Sequence, residues 1–88
     1  MKHQINPEYL KLIIEANDDL MEKEHQEEHQ RNAVSAARHY LAANPCRETV
    51  LDLRGDLANL KADHKACLRA RYRLETLVQD VFEHMEKV

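Results

Sequence analysis

An all-α antiparallel hairpin of two long, coiled-coil-like helices is the fold this sequence predicts, and three observations predict it. First, Val50, Leu53, Leu57, Leu60, His64, Cys67, Arg71, Leu74, Val78, Val81, Met85 and Val88 follow a three–four spacing without a slip. That is a heptad with its a and d positions filled, which makes a helix seek another helix along a narrow seam. Second, charged residues make up 33% of the chain, with one Gly, two Pro, one Phe and no Trp. Such a composition belongs to long helices, and the β-branched runs and turn signals of strands are missing. Third, only two proline punctuation points occur, Pro7 and Pro45.

Asn6-Pro7-Glu8 opens the first helix, with Asn6 as the cap and Pro7 at the first helical position, where its missing N–H is no loss. Asn44-Pro45-Cys46 has the same form, so helix one is read over roughly 7–43, the turn over 43–45 and helix two over 45–88. The 88 residues form one small domain, close to the size at which a single core is marginal. Helix one has its own a/d frame in Leu10, Ile13, Asn17, Leu20, Glu24, Glu27, Arg31, Val34, Arg38 and Leu41. A short turn makes the helices antiparallel, so facing residue numbers have a constant sum. A sum of 91 satisfies both frames, setting Leu41 against Val50, Val34 against Leu57, Glu27 against His64 and Ile13 against Val78.

The weak point is Glu22–Asn32, eleven positions without an apolar side chain. Every residue in it tolerates a helix and none is Gly or Pro, which favours a continuous helix facing water; a break giving two shorter helices is the alternative. Gly55 falls at an outward position, where it costs about 1 kcal/mol but breaks nothing.

Net charge is −3, and it is uneven: residues 1–44 carry five basic and eight acidic side chains, residues 45–88 eight of each. Lys61, Lys65, Arg69 and Arg73 recur every four residues as a basic stripe, and the hairpin register brings Glu24, Glu27 and Glu28 to its level. Charge matching within or between subunits explains this stripe; an acidic protein partner comes next, and nucleic-acid phosphates would be a third use. Against nucleic acid stand the negative net charge, the scarcity of aromatic side chains for base stacking and the lack of a recognition-helix pattern.

His25-Gln26-Glu27-Glu28-His29 fits an H-x-x-E-H pattern, and two histidines at i, i+4 can share a metal. Chemistry there would need a third ligand, an open coordination position and a cleft, and a two-helix chain offers no evident cleft. No metal, cofactor or small-molecule substrate is expected. Cys46 and Cys67 lie about 31 Å apart along a continuous helix, too far for a disulfide. With no secretory signal and no apolar run approaching a membrane span, a reducing cytoplasm is the expected compartment.

Apolar residues beyond the a/d seam cluster at the open end of the hairpin, where Leu12, Ile14, Met21, Leu77 and Phe82 remain after one helix–helix contact is satisfied. They suggest a protein interface, with Ile14, Met21, Leu77, Val81, Phe82 and Met85 as anchors. The functional expectation is a non-enzymatic protein-binding module, a small regulator, adaptor or inhibitor of the kind phages and mobile elements encode. It would act by docking on a larger complex or as a homodimer closing into a four-helix bundle. A structural subunit or chaperone of a helical filament or secretion assembly is the alternative. The run Leu41-Ala42-Ala43-Asn44-Pro45 and the leucine-spaced helix after it resemble the helix–turn–helix of type III secretion needle subunits. That resemblance covers the loop and about two following turns; the charge density elsewhere departs from such subunits, and no family is assigned.

Overall fold

In a computed structural model, described over residues 5–86, the chain is two helices, α1 (Pro7–Ala43) and α2 (Arg47–Glu86), packed as an antiparallel hairpin. α1 begins as its sequence dictates: Asn6 Oδ1 accepts from the Glu8 N–H at 2.9 Å, with Pro7 in the first turn. The second Asn-Pro pair works differently from expectation. Asn44 ends α1 rather than starting α2, its N–H donating to the Tyr40 carbonyl at 2.9 Å. Cys46 caps α2 instead, and its N–H donates to the Thr49 hydroxyl at 3.2 Å. That hydroxyl lies 2.9 Å from both the Asn44 and Cys46 carbonyl oxygens and shares its single proton between them. Thr49 thus fastens the turn to the first turn of α2 in the manner of a capping box, which is why a polar side chain is buried there.

α1 is unbroken through Glu22–Asn32. The stretch does not simply face water, however. Glu27 is buried, and Lys23 and Gln30 are half-buried. Each has a polar partner, as buried polar groups require: Lys23 reaches Asp19 at 3.6 Å, and Gln30 donates to the Asp56 backbone and side-chain oxygens at 3.2 and 3.3 Å.

The burial pattern corrects the frame. On α1 the covered positions are Tyr9, Ile13, Ala16, Leu20, Lys23, Glu27, Gln30, Val34, Ala37 and Leu41, with Asp19 and Ala33 half-buried beside them. On α2 they are Thr49, Leu53, Asp56, Leu60, Asp63, Cys67, Ala70, Leu74, Leu77 and Val81, with Ala66 and Met85 half-buried beside them. Half of each expected frame survives, but the other half moves back one residue, so both helices are turned by about 50° about their axes relative to expectation. Val50, Leu57 and Val78, read as seam residues, are exposed, Leu57 to 42%. Leu77, read as surplus, lies in the seam. With the sum lowered from 91 to 90, every seam residue of α1 stands level with one of α2.

Side-chain size is part of the physical reason. Ala16, Ala37 and Ala70 are three of the ten new positions, and Cys67 holds one that did not move; small residues let two backbones approach closely enough to bury what lies between them. The hairpin is slender, with extents of 67 × 15 × 13 Å. Val88 lies outside the described residues. No helix among the described residues is long and apolar enough to cross a membrane.

Candidate functional site: one side of the hairpin

Two antiparallel helices place like heptad positions beside each other across their seam. The residues following the seam positions, Leu10, Asn17, Glu24, Arg31 and Arg38 on α1 and Val50, Leu57, His64, Arg71, Val78 and Met85 on α2, therefore border it on one side. His64 confirms this placement, since its Nδ1 reaches Glu27 Oε1 at 2.6 Å from that border. Just outside the border on the same side run Ile14, Met21 and Glu28 on α1 and Arg54, Lys61, Leu68, Glu75 and Phe82 on α2.

This side carries most of the exposed large apolar residues described: Leu10, Ile14, Met21, Val50, Leu57, Leu68, Val78 and Phe82. Met21 is 60% and Phe82 55% exposed. Of the expected anchors, Ile14, Met21 and Phe82 thus stand open to a partner, and Met85 is half-buried beside them. Val81 is 7% exposed and Leu77 half-buried, both taken up by the hairpin itself. The periodicity missed Val50, Leu57 and Val78 as surface residues and counted all three as core; Leu68, read as lying off the seam, is exposed.

The opposite side is different in kind. One shallow groove there is lined by Ala33, Ala36, Ala37, Tyr40, Thr49, Asp52 and Asp56. A second is lined by His25, Gln26, His29, Gln30 and Asp63. His25 and His29 do share a groove with an acidic residue of the other helix. Even so, no three His, Cys, Asp or Glu side chains among the described residues come together as a metal site.

Between the two sides, at mid-length, sits a polar cluster. Glu27 is buried and accepts from His64 at 2.6 Å and from Arg31 at 3.2 Å. Its carboxyl is held below the ordinary carboxylate range, first by the His64 hydrogen bond, then by Cys67 and the charges of His64 and Arg31, against the desolvation that opposes ionisation. Burial pushes the neighbouring Cys67 thiol up, and the Glu27 carboxylate adds to the shift. A buried thiol held protonated in this way is a poor nucleophile. Both cysteines are free.

The basic stripe lies open. Lys61, Lys65, Arg69 and Arg73 are all exposed, and none makes an ion pair among the described residues. Glu24 and Glu28 are likewise exposed, whereas Glu27 turns inward to His64 and Arg31. A spacing of four drifts about 40° per step on a helix, so the stripe winds from the apolar side across the back of α2. Compared with known protein families, curated proteins and solved structures, the chain finds no match.

Proposed function

We propose that this chain is a non-enzymatic protein-binding module, a small regulator, adaptor or inhibitor whose working surface is the apolar side of the hairpin. The observation that carries the reading is that eight of the eleven exposed Leu, Ile, Val, Met and Phe residues described lie on one side. Single exposed leucines are ordinary, but such a concentration, interrupted by charge at mid-length, marks an interaction site. Leaving it wet forfeits about 25 cal/mol for each Å² of apolar surface, a large sum beside the roughly 5–15 kcal/mol that holds a native domain together. The flanking charges, Glu24 and Glu28 on one helix and Lys61 on the other, would give selectivity and speed of encounter more than affinity. The winding of the basic stripe and the net charge of −3 weigh against a nucleic-acid backbone as the partner.

The test is capture by a tagged chain from cells that also express it untagged, with retained proteins identified by mass spectrometry. The wild type should retain either its own untagged copy or another protein. An Ile14→Glu, Phe82→Glu variant with unchanged helicity should retain neither. Equal retention by the variant would overturn the reading.

A further inference from the structure

The hairpin exposes 7118 Å², whereas a compact monomer of its 10.3 kDa exposes about 5,400 Å². Its radius of gyration of 19.6 Å compares with about 12 Å for a compact chain of this length. Far more surface is left in water than size alone requires. One long side of 67 by 15 Å has a footprint of about 1,000 Å², above the roughly 800 Å² per partner of a stable interface. An occupant as long and slender as the hairpin itself would fit it.

We propose that a second copy of this chain covers the apolar side, related by a two-fold axis parallel to the helices, so that α1 of each copy lies along α2 of the other. The proposal rests on the reading of this side as the working surface and names its occupant. The charge distribution selects the arrangement. Under this axis, residues of one α1 meet the level of the other α2 that they already share within their own hairpin. Glu28, with Glu24 one turn away, then faces Lys61 of the second copy. Met21 comes to Leu68, Ile14 comes between Glu75 and Val78, and Leu10 comes between Val78 and Phe82. Acid meets base in the middle, and the open end is mainly apolar.

The other two-fold, across the helices and set at the level between Met21 and Glu24, would lay α1 on α1 with Met21 against Glu24, and His64 against Arg71 between the two α2 helices. That arrangement buries charge against apolar surface and sets like charges together, both unfavourable. The match under the favoured axis is poorest at the loop end, where Arg38 comes level with Arg54. The contact is therefore centred on the middle and open end. Because the interface is isologous, each α1–α2 contact occurs twice, and the product is a four-helix bundle.

The isologous geometry gives a demanding test. A Glu24→Lys, Glu28→Lys chain and a Lys61→Glu chain should each fold with wild-type helicity. Each should associate with itself at least about tenfold more weakly than the wild type in sedimentation equilibrium, because like charges now meet at both contacts. Mixed, they should form a one-to-one heterodimer, since every contact again joins acid to base. A wild type that stays monomeric at about 100 μM would overturn the second copy as occupant, leaving the working-surface reading to be judged by the capture experiment. A wild-type dimer whose two charge variants fail to pair when mixed would overturn this arrangement.

Discussion

The two long sides of this hairpin are made by the same two helices, yet they differ in chemistry. One presents Ile14, Met21, Leu68, Val78 and Phe82 to solvent; the other presents grooves of alanine, glutamine, histidine and aspartate. The seam between them does not produce this contrast, because it buries residues from neither outer side. The contrast comes from what the seam leaves over. Thr49, Asp56 and Leu77, each one residue back, take the place that Val50, Leu57 and Val78 would otherwise fill. A chain selected only to hold a hairpin would gain nothing from larger aliphatics on a border that water reaches. Their concentration on one side is best explained by something that covers it.

The largest expected effect separates seam from border. Val34, 3% exposed, lies in the seam, and Leu57 lies on the border. Val34→Asp buries an unpaired charge and should cost several kcal/mol, enough to abolish the helical signal or its cooperative melting. Leu57→Asp should leave the chain helical and, in dilute solution, within about 1 kcal/mol of wild type. Equal damage from both, read by thermal circular dichroism, would return the seam to the a/d frame and dissolve the contrast between the sides.

An effect of intermediate size concerns the polar cluster at mid-seam. Glu27 titrates below the ordinary carboxylate value of 4.5 in the folded chain. Its contribution to stability is therefore complete above that value and is lost as pH falls through the lower, folded one. Urea unfolding of wild type and Glu27→Gln across the acid range should show the wild type losing an increment below pH 4.5 that the variant lacks. Parallel curves would mean that Glu27 is not held by His64 and Arg31. Replacing Glu27 by Leu should cost little or even stabilise, since a buried ion pair is often no better than packed hydrocarbon. What that variant should lose is the single register in which Glu27 stands against His64.

The smallest effect belongs to the back of α2, away from both sides. A methyl group at Gly55 would meet nothing within 4 Å, so Gly55→Ala should raise stability by about 0.5–1 kcal/mol through helix propensity alone. It should leave any association through the apolar side unchanged. A shift in association would place Gly55 nearer the working surface than its position on the helix implies.

Helix existence, length and pairing were legible in the sequence because they rest on strong local signals. Pro7 and Pro45 fix where helices can begin, and an unbroken period over some forty residues fixes what α2 must be. The Glu27–His64 contact was legible too, because a change of one in the constant sum still leaves the two residues within reach across the seam. The rotation of the seam was not. Aliphatic size marks Val50, Leu57 and Val78 as core, while the residues that win, Thr49, Asp56 and Ala70, are individually weak signals. The recurrence of Ala16, Ala37 and Ala70 in one frame was the available clue, since close approach of backbones needs small side chains. Polar seam residues such as Gln30 and Asp56 read as surface until a partner across the seam is known. Ile14, Met21 and Phe82, read as surplus to the seam, are exposed, whereas Leu77 was not separable from them without the rotation, and Val81, read both as seam and as anchor, is taken up by the seam.

Side-chain oxidation footprinting tests most directly whether one side of the hairpin is built to be covered. Hydroxyl-radical labelling of the chain in the cells that make it, followed by mass spectrometry, compares Met21, Leu68 and Phe82 on the apolar side with Tyr40 and Tyr72 elsewhere. All five are exposed in the isolated hairpin. The account predicts that, relative to the same chain diluted below association, Met21, Leu68 and Phe82 are protected while Tyr40 and Tyr72 are labelled as before. Labelling of Met21, Leu68 and Phe82 that is unchanged between cell and dilute solution would contradict it.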